Sequence, residues 1–373
     1  TGPAEVAGEA SKADGRGEVI NVSVSRKTVR PRFTVAAARR IADEADELVD
    51  APVGITIGGQ QSSIPLVTLR NWATTAAGDR GLRFAIDGER AVEDLNKRFP
   101  RAGKPAVETT FRVTGGQVSV IPGTAGTACC DPKVGDLVEL ALRGQQPQPI
   151  EVPLRVTPPR ITAEQAAGLG IKEVVGSFTT NHPPRQPRVK NIQRIADLMR
   201  GQVILPNTPL SVNSVVGKRT QAKGFVNAPV IQEGLFVEDF GGGVSQFATT
   251  LFNAAFLAGL EFPEYQSHSI YISRYPYGRE ATLNYPHPDL KIRNTTPHGV
   301  LIWPTYSGSG ISVTLYSTKT WKVTQGAQTK SPQGVCTRVR TERTRVRLSD
   351  NLTKKDAVFA TYRPEEGVNC NGT

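Results

Sequence analysis

Residues 241–246 read Gly-Gly-Gly-Val-Ser-Gln and run directly into an apolar helical pattern that continues to Phe262. A glycine-rich turn at a helix start exposes the next polar side chain, here Ser245. The free N–H groups and positive end of such a helix stabilise a thiolate or an oxyanion. A nucleophile there needs a base, and the base needs an orienting acid. His268 follows on a segment expected to be a strand, and Asp289 lies beyond, so Ser245, His268 and Asp289 stand in an order suited to acyl transfer. Two other roles fit the same residues. Serine is a preferred helix cap, worth about 1 kcal/mol over alanine. The backbone of Gly241, Gly242, Gly243, Ser245 and Gln246 can also hold a carboxylate or phosphate without reacting with it.

The chain has 373 residues, enough for two or three domains, and 38% of them are hydrophobic, enough for packed cores. Its net charge of +11 favours anionic partners such as nucleic acid, anionic lipid or cell-wall polymers. No helix-turn-helix, RNA-binding or zinc-finger pattern supports nucleic acid. The densest basic run, residues 338–347, alternates as one face of a strand does and is read as solvated. No apolar run is long enough to span a membrane. Either the chain is cytosolic, or an export signal or membrane anchor lies upstream of Thr1. The four cysteines include Cys336 and Cys370, which bracket the C-terminal segment and suit a disulfide. Cys129 and Cys130 are a vicinal pair or two free thiols. No histidine stands at metal-ligand spacing with them, so no metal or cofactor is expected.

The elements that must position the turn read as α+β. Val22 and Val24 alternate with serines as a strand does, and Thr34 caps a helix over 33–49. Residues 53–59 read as a strand into a turn, and residues 65–76 as a strand edge leading to a helix start. Residues 89–99 and 133–144 read as helices, and residues 109–123 as a hairpin about Gly115-Gly116. A strand, a Pro-Arg turn and a threonine-capped segment recur around Arg160-Ile161-Thr162, echoing Arg32-Phe33-Thr34. The expected division is a linker and the last strand of a truncated repeat over 1–30, and an α+β repeat over 31–160. A mixed α/β domain follows over 161–320, then a β-rich tail over 321–373. In the third segment a helix near 187–200 turns Ile192, Ile195, Ala196 and Met199 inward.

Over 176–318 the chain resembles the VanW family. The resemblance is carried by residues 176–220, the stretch "GFVNAPVIQEG" (224–234), the glycine turn and helix (241–262), and residues 268–294. Residues near 30–160 resemble the peptidoglycan-binding repeats that precede such domains. Together these imply an extracytoplasmic protein of the cell envelope, anchored in the membrane at full length, with peptidoglycan or an anionic wall polymer as partner. Family motif positions also bring in Asn213, Arg219, Arg274 and Arg279 as ligand-binding candidates. Many members carry cysteine where Ser245 stands, and aspartate where Glu280 stands. Since serine is far less acidic than cysteine, the reading adopted is binding of peptidoglycan or its precursors without turnover. The alternatives are a Ser245/His268 acyl hydrolase or transferase on stem peptides, and a structural envelope protein that binds a protein partner.

Overall fold

The computed structural model describes residues 33–78, 81–232, 235–365 and 370–371, so the expected strand at Val22 and Val24 lies outside the described residues. The chain is α+β and divides into two compact units. The first comprises residues 1–105 and 126–157; the second comprises residues 106–125 and 158–373. The hairpin expected in the first module, Thr110–Thr114 with Gln117–Ile121, therefore belongs to the second unit. There Phe111 packs with Ala166, Leu301 and Tyr316.

In the first unit the strand Val53–Ile57 pairs antiparallel with Gln60–Ile64 and parallel with Ile150–Glu151. Thr34 caps the helix Val35–Leu48 by accepting from the Ala37 N–H. The segment 65–76 reverses the expected order: the helix Leu66–Trp72 comes first and the strand Ala73–Gly78 second. Leu69 and Trp72 need the core on one helical face, and both are buried there with Ile55, Ile57, Phe84 and Leu95. Cys129 and Cys130 form a disulfide inside this core.

The second unit is built around the helix Val244–Leu257, buried on nearly every side. It packs with the antiparallel sheet of Glu173–Asn181, Gly310–Ser317, Val300–Tyr306 and Val203–Ile204, and with the helix Pro187–Met199. As expected, Ile192, Ile195, Ala196 and Met199 of the latter helix face the core. A helix buried all round must satisfy its polar side chains internally. This one carries Gln246, Thr249, Thr250 and Asn253, all fully buried. Gln246 donates to Thr180 Oγ1 (3.1 Å) and to the Asn181 carbonyl (3.0 Å), tying the helix start to the sheet.

Three long antiparallel strands, Trp321–Gln333, Cys336–Arg347 and Thr353–Tyr362, close the second unit. Cys336 and Cys370 form the expected disulfide. The basic run was read as solvated, but only one side of its strand is. Arg343 and Arg345 are buried on the other side, donating to the carbonyls of Phe256 (2.9 Å) and Gly259 (3.0 Å). Cations suit the negative end of the buried helix, and Asp356 neutralises both. His182 is also buried.

Candidate functional site

Each glycine of the triplet makes room for something different. Gly241 and Gly243 have φ of +93° and +95°, which side chains rarely adopt. A Cβ on Gly241 would lie 2.8 Å from Arg219 Cγ, and one on Gly243 would lie 2.7 Å from Arg188 Cβ. A Cβ on Gly242 would lie 2.2 Å from the Ala228 carbonyl oxygen. The turn thus lets two arginine stems pass on separate sides of the helix start, while its middle residue packs on the backbone of the strand Asn227–Gln232.

Ser245 is not the cap. Gly243 occupies that position with no side-chain bond, and Ser245 is the second residue of the helix. The Ser245 hydroxyl instead accepts from the Leu283 N–H (3.1 Å) and donates to the Leu283 carbonyl (3.5 Å). One turn on, Thr249 Oγ1 accepts from the Ala281 N–H and donates to its carbonyl, both at 3.1 Å. A further turn on, Asn253 Nδ2 donates to the Arg279 carbonyl (2.9 Å). Four helical residues rise about 6 Å, and two extended residues span about 6.6 Å. A polar stripe of period four therefore grips an antiparallel segment of period two. These rungs hold residues 279–283, which have no sheet partner. The segment from His268, expected as a strand, is likewise irregular.

Between the turn and this segment lies a cleft of about 520 Å³. Ser245 and His268 both line it, but no hydrogen bond joins them. His268 Nδ1 meets Glu280 Oε2 at 2.6 Å, and Glu280 Oε1 accepts from the Tyr362 hydroxyl. Burial, with the Glu280 charge beside it, raises the Tyr362 phenol and keeps it a donor. The His268 ring stacks on Tyr275, centroids 5.4 Å apart. Asp289, the acid expected from chain order, is committed elsewhere. It accepts from Ser211 Oγ (2.5 Å) and from the N–H groups of Asn213 (2.9 Å) and Leu290 (2.8 Å).

Among the described residues three arginines line the cleft: Arg219 and Arg274, both candidates from the sequence, and Arg188, which was not among them. Arg219 is 6% exposed. Its Nη1 donates to Asn213 Oδ1 (2.6 Å) and to the Gly217 carbonyl (3.2 Å), while Nε and Nη2 are buried without a partner. Burial pushes its guanidinium down to about 10, against the pull of Asp289, so it remains charged at neutral pH. Arg188 is lowered by burial and then by the Arg274 charge. Among the described residues none of the three forms an ion pair. The other ligand candidates support rather than line the cleft. Gln246 accepts from Arg188 (3.2 Å), and Asn213 holds Arg219 and, through Nδ2, the carbonyls of Asn284 and Pro286. Arg279 lies over the Phe256 ring, 5.0 Å from its centroid, away from the cleft lining.

Among the described residues no group of three or more His, Cys, Asp or Glu is placed to hold a metal ion, and no helix is long and apolar enough to cross a membrane. Residues 187–316 match the family model described as VanW like protein. Over 199 residues the chain is 33% identical to the uncharacterized protein YoaR of Bacillus subtilis (strain 168), covering 53% of this chain and 66% of that protein. No solved structure matches the chain. Every cleft residue named here except Tyr362 falls within 187–316, and the chain carries a VanW-like domain over those residues.

Proposed function

We propose that this is a cell-envelope protein whose VanW-like domain binds peptidoglycan or its precursors through their anionic groups, without turnover. The observation that carries the reading is Arg219, a buried cation lining the cleft with two nitrogens unpartnered and, among the described residues, no carboxylate in ion-pair contact with it, Asp289 acting on it only from a distance. An unpaired buried charge is costly and calls for an anion from outside. Arg188 and Arg274 extend the same positive lining, and Pro187, Phe240, Ile272 and Leu283 give it apolar walls. Binding without turnover is supported by Ser245, whose hydroxyl accepts from the Leu283 N–H and points its own proton toward the Leu283 carbonyl.

The contact between His268 and Glu280 favours a second reading, acyl hydrolysis or transfer on stem peptides, because it leaves the second ring nitrogen of His268 for a proton. Sedimentation with purified insoluble peptidoglycan, followed by mass spectrometry of the soluble fraction, separates the two. Binding with no new muropeptides in wild type or Ser245→Ala supports a binding domain. Products that vanish in Ser245→Ala and His268→Ala establish an enzyme. Neither binding nor products leaves a structural, protein-binding role.

A further inference from the structure

Arg219 offers a defined edge as well as a charge. Its Nη1 is used by Asn213 and Gly217, so the two unpartnered nitrogens are Nε and Nη2, the adjacent pair along one side of the guanidinium. The same pair grips carboxylates elsewhere in this chain. Arg343 donates from Nε and Nη2 to the two oxygens of Asp356, both at 2.9 Å. Arg347 does so to Asp350 at 2.8 and 2.6 Å. Two parallel N–H groups match the two oxygens of a carboxylate. Thr282 Oγ1, also in the cleft lining, is a second buried polar atom without a partner.

We propose that the Nε/Nη2 edge of Arg219 is a built subsite for the terminal carboxylate of a peptide, so that the cleft recognises the C-terminal end of its ligand. The inference rests on the reading of the cleft as a wall-peptide site and names the part of the peptide that enters. Arg219 is held ready before the ligand arrives. Gly241 gives its stem passage, Asn213 clamps Nη1, and Asp289 fixes the Asn213 backbone. The turn places the positive end of a 14-residue helix beside it. Among the described residues no acidic side chain lines the cleft to receive an ammonium group, which favours the carboxyl end of a peptide over its amino end.

The test measures binding of three probes to the whole chain by calorimetry: N-acetyl-alanyl-alanine as the free acid, the same dipeptide as its C-terminal amide, and methyl phosphate. The acid should bind about tenfold or more tighter than the amide, as expected for a charge-assisted bidentate contact. Arg219→Gln should lose most of that preference while keeping its unfolding midpoint. Equal binding of acid and amide by wild type overturns the subsite, whatever the variant does. Methyl phosphate binding as tightly as the acid overturns the assignment to a peptide carboxylate, and so does failure of all three to bind. Sedimentation with peptidoglycan in parallel separates the two claims. A wild-type chain that sediments yet ignores the carboxylate refutes the subsite alone, and one that does not sediment refutes the wall reading itself.

Discussion

Two buried arginines in the same unit should respond oppositely to the same substitution. Arg343, 2% exposed, is matched at Nε and Nη2 by Asp356 and at Nη1 by the Phe256 carbonyl. Arg343→Met strands these partners, and breaking a buried pair costs about 3–5 kcal/mol; the value here falls near the lower end because Arg345 still reaches Asp356. Arg219 is nearly as buried but unmatched. Burial lowers its guanidinium well below the usual arginine value, to about 10. At about 1.4 kcal/mol per pH unit, the charged form carries a penalty of roughly 3 kcal/mol. Arg219→Met relieves that penalty and loses two hydrogen bonds from a charged donor, about 1.5–3 kcal/mol each at most, with the longer Gly217 contact worth less. The two effects nearly cancel, so Arg219→Met should unfold in urea within about 1 kcal/mol of wild type while losing peptidoglycan binding. An Arg219→Met chain destabilised as much as Arg343→Met would refute the reasoning, since it would make Arg219 a structural residue.

Gly242→Ala drives a Cβ into the Ala228 carbonyl and should destabilise the domain by more than about 3 kcal/mol. Gly241→Ala meets the Arg219 side-chain stem closely and Val244 at ordinary contact distance, with no backbone clash among its nearest atoms, and should cost about 1–2 kcal/mol for its positive φ while weakening ligand binding; urea unfolding and calorimetry on both variants check this contrast. Ser245→Ala removes the first rung and should cost about 1–2 kcal/mol for the unpaired Leu283 groups, leaving sedimentation with peptidoglycan unchanged. Burial opposes ionisation of Asp356, but Arg343 and Arg345 outweigh it and hold the carboxyl below its usual value. The stability this supplies is present above about pH 4 and lost as pH falls through the lowered folded value. The fall in thermal midpoint from pH 6 to pH 3 should therefore be smaller in Asp356→Asn than in wild type.

Features written in local sequence were legible. Thr34 and Thr162 cap the helices they precede, the Gly115-Gly116 hairpin forms, and the inward face of the helix Pro187–Met199 follows from its apolar spacing. The glycine turn, Ser245 and His268 do meet at one cleft. What chain order could not supply was the acid. Asp289 has the right position in sequence, but its oxygens are taken by Ser211 and two backbone N–H groups, and Glu280 orients His268 instead. Glu280 comes through an irregular segment fixed by helix side chains, so no strand period announces it. Tyr362 arrives from the last strand, 82 residues away. The spacing of Ser245, Thr249 and Asn253 was readable, and a polar stripe on an otherwise buried helix was the missed signal for the segment it holds. The alternation of the basic run was also read correctly as a strand, but alternation cannot say which face meets the core. The Phe256 and Gly259 carbonyls decide that.

The central claim is that the arginine-lined cleft is what binds the wall, rather than the chain's general positive charge. Sedimentation with purified peptidoglycan tests it with two double charge reversals that change net charge equally: Arg188→Glu with Arg274→Glu at the cleft, and Lys354→Glu with Lys355→Glu on the exposed last strand. The account predicts that the cleft variant stays in the supernatant while the strand variant sediments like wild type. Equal sedimentation of both variants, or equal loss of it, would contradict the account and reduce binding to net charge.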